Sequence, residues 1–395
     1  MRILFVTKSQ KFTGTYWRGW HLGSELAKAG FDFTLVCPGR TGIIAPAFSR
    51  PTPNLRVVEL PRLSDTTHYL GMALRSAWGL ARWHPEDYDI VHSCAPAFPE
   101  TWLPALIAKK RGVPVLVDLD DWWGRIPDGR RPRLESWLEE RLETSAVSLA
   151  SCMVAVSEEL VERRGSLCKG RALVLPNGVN PSHFNGLYHD ESRSRLREEL
   201  GLDSDMPVVV ALYDPRFAQL FIDLGTLLAK SRRKAVLLLV GFRASDPAGS
   251  KRRSPPEVRY GGGPVVYPEQ EHRRTLDLIT AADVLVLPMV DDCFDRSRFP
   301  VKLPELLATG RPLISSAVGK TRRVLLAAGY SDTTGGLVRH TNANAFLEGV
   351  QQAFDNLEHM EEVAREAKEY TLEQLSWAHI ASDCAKVYTE VAMHT

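Results

Sequence analysis

The sequence predicts an α/β chain of two doubly wound domains, each a mostly parallel sheet covered by helices on both faces. Three observations predict it. Short apolar runs alternate with helix-period segments from the start of the chain, the pattern of parallel strands joined by crossover helices. The alternation lapses in a polar, charge-rich stretch at 186–206 and then begins again. The length of 395 residues exceeds what one ordinary core accommodates.

In chain order, residues 3–6 read as a buried strand, 20–29 as a helix closed by Gly30, and 32–36 as a second strand ended by Cys37-Pro38-Gly39. Residues 70–83 have helical spacing, 88–92 form a strand, 101–110 a helix and 113–117 a strand. A charged amphipathic helix follows at 132–150, then strands at 153–156 and 172–175 with a helix at 158–164 between them. Pro176-Asn177-Gly178 is a turn signal, with Asn-Gly supplying positive φ. The second half gives strands at 208–212, 235–240, 265–267 and 284–287, helices at 220–230 and 270–281, and a mostly helical tail from 344. This places an N-terminal domain at 1–185, a linker at 186–206, a second domain at 207–375 and a final helix at 376–395. Two such halves predict a cleft between them, with ligands at the carboxyl ends of strands.

Bulk properties narrow the class. With a formal net charge of +1 there is no global case for nucleic-acid binding. Basic clusters occur at 130–133, 232–234 and 251–253; they read as solvated loops or as a peripheral contact with an anionic inner membrane surface. Six scattered cysteines without a C-x-x-C pair argue against a zinc site or disulfide scaffold and fit a reducing cytoplasm. The apolar run after Met1 is too short for a signal peptide, and nothing approaches the roughly 20 apolar residues of a membrane span.

Three segments carry chemistry. In Phe299-Pro-Val301-Lys302-Leu-Pro-Glu305 a lysine and a glutamate open a short helix that Gly310 ends, before an apolar strand and Val318-Gly319. Helix N-termini attract anions, and a glutamate there accepts hydrogen bonds from ligand hydroxyls; an ordinary solvent-facing helix is the bland reading. Residues 7–16 form a strand-to-helix loop with two lysines, hydroxyls and Gly14, neither a Walker loop nor G-x-G-x-x-G. Asp118-Leu-Asp120-Asp121-Trp122-Trp123 sets three carboxylates and two indoles at the end of a strand, suited to sugar hydroxyls and ring faces. A structural cap and a divalent cation are the alternatives there. His92 reads equally as packed or functional.

Val154-Ala-Val-Ser157 with Leu175-Pro-Asn-Gly-Val-Asn180, Ala281-Ala-Asp-Val-Leu-Val-Leu-Pro288, and Pro300-Val-Lys-Leu-Pro-Glu305 through Gly310-Arg-Pro312 carry a resemblance. By these the chain resembles the retaining nucleotide-sugar glycosyltransferases of the GT-B fold, glycosyltransferase family 4. The resemblance implies two Rossmann-like domains, donor on the second, acceptor on the first, and a last helix returning to the first domain. It implies hexosyl-type transfer from a nucleotide diphosphate sugar to a glycan, lipid-linked or small-molecule acceptor, without nucleic acid, cofactor or metal.

Carried over by position, Glu305 matches the ribose-binding glutamate, Val301 faces the donor sugar, and Val318 and Gly319 lie near the diphosphate. Gly14 matches the N-terminal glycine loop, and Tyr267 is placed on the donor side. Asp120 falls where many relatives have a sugar-contacting histidine, with Asp121, Trp122 and Trp123 toward the acceptor. Two departures stand out. The family's first glutamate is replaced by Ser297, with Asp295 nearby, and the diphosphate-holding Gly-Arg and lysine are replaced by a segment offering Arg216. Lys302 or Arg298 then supplies the second charge. These departures keep two other readings open: a nucleotide-sugar-binding partner protein with weakened catalysis, and a GT-B nucleotide-sugar epimerase.

Overall fold

The computed structural model describes residues 1–39, 45–61, 71, 84–126, 133–185, 194, 197–199, 201–242, 263–268, 272–331 and 336–393. The chain forms two compact units. Unit 1 is Met1–Asn177, Asp292–Phe299 and Trp377–Thr395; unit 2 is Gly178–Asp291 and Pro300–Ser376. The chain thus changes unit at Asn177, ahead of the linker predicted at 186–206, and returns twice.

Unit 1 holds β1 (Arg2–Thr7), β2 (Asp32–Pro38), β3 (Ala47–Thr52), β4 (Leu55–Leu60), β5 (Ile90–Cys94), β6 (Val115–Leu119), β7 (Cys152–Ala155) and β8 (Arg171–Val174). They form one sheet in the order β3-β4-β2-β1-β5-β6-β7-β8, parallel except for the antiparallel β3–β4 pair. Sequence reasoning missed both of these strands. β3 is exposed along its whole length and contains Pro51, tolerated only because it is an edge strand, so it shows no apolar alternation. The helix predicted at 70–83 lies outside the described residues apart from Gly71.

The helix Thr15–Lys28 packs against this sheet through Gly19 and Gly23, one turn apart. A Cβ on Gly19 would come within 2.6 Å of Phe5, and one on Gly23 within 2.5 Å of Phe33, so only glycine permits this approach. The helix Trp377–Met393 brings Trp377, Ile380, Cys384, Tyr388 and Val391 into the same core at helical spacing. Trp377 stacks on His21 of the first helix, ring centroids 5.2 Å apart.

Unit 2 holds β9 (Val208–Leu212), β10 (Val236–Phe242), β11 (Val265–Pro268), β12 (Val284–Leu287), β13 (Leu313–Ser316) and β14 (Leu337–Val338). Their order is β11-β10-β9-β12-β13-β14, and every pairing is parallel. The near-continuous apolar runs of β9 and β12 follow from burial on both faces. Gly310 takes φ +67° just after the helix Lys302–Ala308 and ends it, as the sequence predicts. Among the described residues no helix is long and apolar enough to cross a membrane.

Candidate functional site

In unit 1 the loops leaving β1, β5 and β6 gather chemistry at the carboxyl ends of adjacent parallel strands. After β1, Gly14 caps the helix Thr15–Lys28 with φ +45°, and a Cβ there would lie 2.7 Å from Ser9 Oγ. The loop hydroxyls bind one another: Ser9 Oγ is 2.7 Å from Thr15 Oγ1 and accepts from Thr15 N at 3.1 Å. Lys11 is held by Glu59 at 2.7 Å. Lys8 instead places its ammonium over Trp123, 3.0 Å from the ring centroid, and 4.0 Å from that of Phe98.

Trp123 Nε1 donates to Asp120 Oδ1 at 3.0 Å. Burial and then the neighbouring Asp121 charge push the half-buried Asp120 carboxyl up to about 7, against the pull of Lys8 and the Trp123 N–H. Asp121 lies 3.7 Å from Arg298 Nε, and Arg298 Nη1 lies 3.7 Å from the buried Asp295. Trp122, predicted beside Trp123, hydrogen-bonds Glu140 and lies under the Arg163 guanidinium, 4.2 Å from its centroid.

Asp118 is a correction. Read as one of three ligand-facing carboxylates, it is fully buried in β6 and accepts from Arg18 Nε at 2.7 Å and Nη2 at 3.1 Å. Burial alone would raise its pKa; the Arg18 charge and a hydrogen bond from His92 outweigh that and bring it below the usual carboxylate range. His92 is buried too, its Nε2 3.1 Å from Asp118 Oδ2 and its Nδ1 2.6 Å from the Tyr388 hydroxyl. An ionised Asp118 has no proton to give, so Nε2 donates and Nδ1 accepts from Tyr388. Burial lowers the His92 pKa and keeps it neutral. Packing, not ligand contact, is therefore the role of His92. Among the described residues no group of three or more His, Cys, Asp or Glu side chains is placed to hold a metal ion.

In unit 2 the end of β9 leads into the 3₁₀ turn Pro215–Phe217. Arg216 Nη2 pairs with Asp214 at 3.1 Å, and Lys302 Nζ donates to the Tyr213 carbonyl at 3.2 Å. Burial raises the Asp214 pKa, but the Arg216 hydrogen bond and the Arg216 and Lys302 charges bring it down on balance. Two cations are thus gathered at one strand end around Asp214. Glu305 lies one turn beyond Lys302 and accepts from His272 Nε2 at 2.7 Å. Val301 precedes that helix, while Val318 is the uncapped lead-in to the helix Gly319–Ala327, where Gly319 takes φ +46°. Tyr267 pairs through its backbone with Val240 in β10; its side chain lies outside the described residues.

The structure also splits the 299–319 motif. Phe299 belongs to unit 1, where its carbonyl accepts from Asn177 Nδ2 at 2.8 Å, and unit 2 resumes at Pro300. Ser297 is buried in unit 1, donating from Oγ to Phe294 O at 2.8 Å. Sequence reasoning did not foresee Phe98 and His272 at these sites, nor Arg18 as the partner of Asp118. Their partners are far away in sequence, and no local pattern marks them.

A family model described as a glycosyl transferase 4-like domain matches residues 13–178, and one described as glycosyl transferases group 1 matches residues 212–356. The chain belongs to this two-domain glycosyltransferase family. The glycosyltransferase is 29% identical over 184 residues to a protein of Bacillus subtilis named for teichuronic acid biosynthesis, covering 44% of this chain and 40% of the relative. It is 26% identical over 192 residues to a D-inositol 3-phosphate glycosyltransferase of Xylanimonas cellulosilytica, covering 48% and 45%. The chain therefore spans less than half the length of the curated relatives it matches. Among solved structures it matches sucrose-phosphate synthase of Thermosynechococcus elongatus with TM-score 0.76 and 18% identity over 100% of both chains. It matches Anabaena HepE in complex with UDP-glucose with TM-score 0.70 and 16% identity, over 99% of this chain and 100% of that one. At such identities the likeness is one of fold: two Rossmann-like units of the GT-B type.

Proposed function

We propose that this glycosyltransferase moves a hexose from a nucleotide diphosphate sugar to an acceptor hydroxyl, with retention at the anomeric carbon and without a metal. The observation that carries the reading is the gathering of Arg216 and Lys302 at the end of β9, with Glu305 one helical turn on. Two cations suit a diphosphate, and a carboxylate suits the vicinal hydroxyls of a ribose. The glycosyltransferase names of the relatives and the UDP-glucose in HepE support this donor class.

In this reading Arg216 and Lys302 neutralise the charge that grows on the leaving diphosphate. The backbone at Val301, Val318 and Gly319 lines the donor, with Tyr267 beside it. The bond from the anomeric carbon to the phosphate oxygen breaks and its electron pair stays on that oxygen. The acceptor oxygen bonds to the same face, and its proton passes to the leaving phosphate. Asp120 accepts a hydrogen bond from a sugar hydroxyl, the Gly14 loop lets the ligand approach the backbone, and Asp121 and Trp123 receive the acceptor.

A thermal-shift screen over UDP, ADP, GDP and their glucose conjugates tests the donor assignment. A ligand at 100 times its Kd stabilises by about 2.7 kcal/mol, and Glu305→Ala should weaken it roughly 10- to 150-fold, as a charged hydrogen bond of about 1.5–3 kcal/mol predicts. No shift with any nucleotide would sink the donor assignment.

The His272 contact gives a pH dependence. Its hydrogen bond to Glu305 raises the His272 pKa above the ordinary value, against burial, which lowers it. His183 faces His272 edge-on with centroids 5.1 Å apart; burial, His272 and Arg273 lower its pKa. The charged His272–Glu305 pair is therefore complete below about pH 6.5 and dissolves as pH rises through the higher folded value. Since His272 competes for the carboxylate that the donor needs, nucleotide-sugar affinity should tighten from about pH 6 to about pH 8. His272→Gln should flatten that rise; an equally steep rise in the variant would remove His272 as its cause.

A further inference from the structure

The helix Arg133–Leu149 is inverted along its first turns. Glu139 and Glu143 are buried, and Glu143 meets Arg163 Nη2 at 2.5 Å and Arg164 Nε at 3.0 Å. Leu134 and Trp137 are exposed, at 72% and 54%. The exposed charged residues of this helix are Arg133 and Arg141, which flank Trp137 on one face at i, i+4 spacing. Arg141 sets its guanidinium 5.4 Å from the Trp137 centroid. Acids turned inward and apolar groups outward reverse the usual arrangement of a surface helix.

We propose that this face, Arg133, Leu134, Trp137 and Arg141, docks unit 1 on an anionic lipid bilayer. Tryptophan settles at the headgroup level with its ring in the acyl boundary, and arginines beside it meet lipid phosphates. Charge decides the occupant, because the exposed charges on the face are all positive. Size decides it too. Two exposed apolar side chains fall far short of the roughly 800 Å² a side that a stable protein interface buries, but suffice for weak, reversible lipid insertion. In the other basic clusters, Arg232 pairs with Asp355 at 2.5 Å, and 251–253 lie outside the described residues.

Flotation of the full chain with vesicles tests the proposal. The protein should rise with vesicles of phosphatidylcholine mixed with phosphatidylglycerol, less so at high salt, and not with phosphatidylcholine alone. Arg133→Glu and Arg141→Glu should each weaken binding at least about fivefold, and Trp137→Ser should remove most of the bound fraction. All three positions are exposed, so melting temperature should stay at the wild-type value and separate lost docking from lost folding. Equal flotation with both vesicle types, no flotation with either, or full binding by the Trp137→Ser variant would each overturn the assignment.

Discussion

Arg18→Ala should lower the stability of the protein by about 3–5 kcal/mol, the cost of removing one partner from a buried ion pair. Arg18 is 2% exposed and Asp118 fully buried, so the alanine leaves a carboxylate with no water and no opposite full charge. The guanidinium also donates to Leu175 O at 2.8 Å, Pro176 O at 3.0 Å and Asn177 Oδ1 at 3.1 Å. These extra acceptors shape the double variant. Replacing a buried pair by apolar residues is often neutral, yet Arg18→Met with Asp118→Leu should recover only part of the loss because those three acceptors and the His92 Nε2–H lose their partners. Denaturant midpoints of the two single variants and the double variant measure this directly. The pH sense also follows. The Asp118 pKa is lowered on folding, so its contribution is present above the unfolded value of about 3.9 and is lost as pH falls through the folded one. Arg18→Ala should therefore flatten the acid limb of the stability curve; an unchanged limb would show that Asp118 is not ionised there.

Asp120→Asn should cut sugar transfer on the order of 10²-fold while leaving the fold intact. The amide keeps an oxygen for Trp123 Nε1, so the local hydrogen bond survives and only the charge and proton are lost. Raised to about 7 by burial and by Asp121, the wild-type carboxyl is largely protonated in acid, where it has lost the negative charge that strengthens its acceptance. Transfer by the wild type should fall as pH drops through about 7, and the asparagine variant should lack that limb. Lys8, Asp121 and Asp118 are the charges that act on it. Stability moves the other way. A carboxyl with a raised folded pKa favours folding at low pH and loses that advantage as pH rises through about 7. Asp120→Asn should thus leave the melting temperature at neutral pH unchanged or slightly higher. Released nucleotide against pH, with melting curves beside it, checks both halves.

The strand-and-helix alternation was legible because each buried parallel strand is a short apolar run, and β9 and β12 fall where those runs do. The exposed edge strand β3 was not, since an edge bearing Pro51 has no apolar pattern to find. Residue types at the candidate site were partly legible: Asp120, Asp121 and Trp123 follow a strand signal, and Lys302 and Glu305 follow the helix-leading Pro300. By itself the sequence determined the two doubly wound units and the segments that supply polar groups at strand ends, because both depend on local periodicity. Which of those groups remain available for chemistry was decided only by tertiary structure. Asp118 and Asp120 are two residues apart on the chain, yet one is neutralised by Arg18, a hundred positions away, and the other stands against Asp121, whose effect Lys8 and an indole N–H offset in part. Burial and the charge of distant partners set a carboxyl's proton affinity, and neither is a property of the residues beside it in sequence.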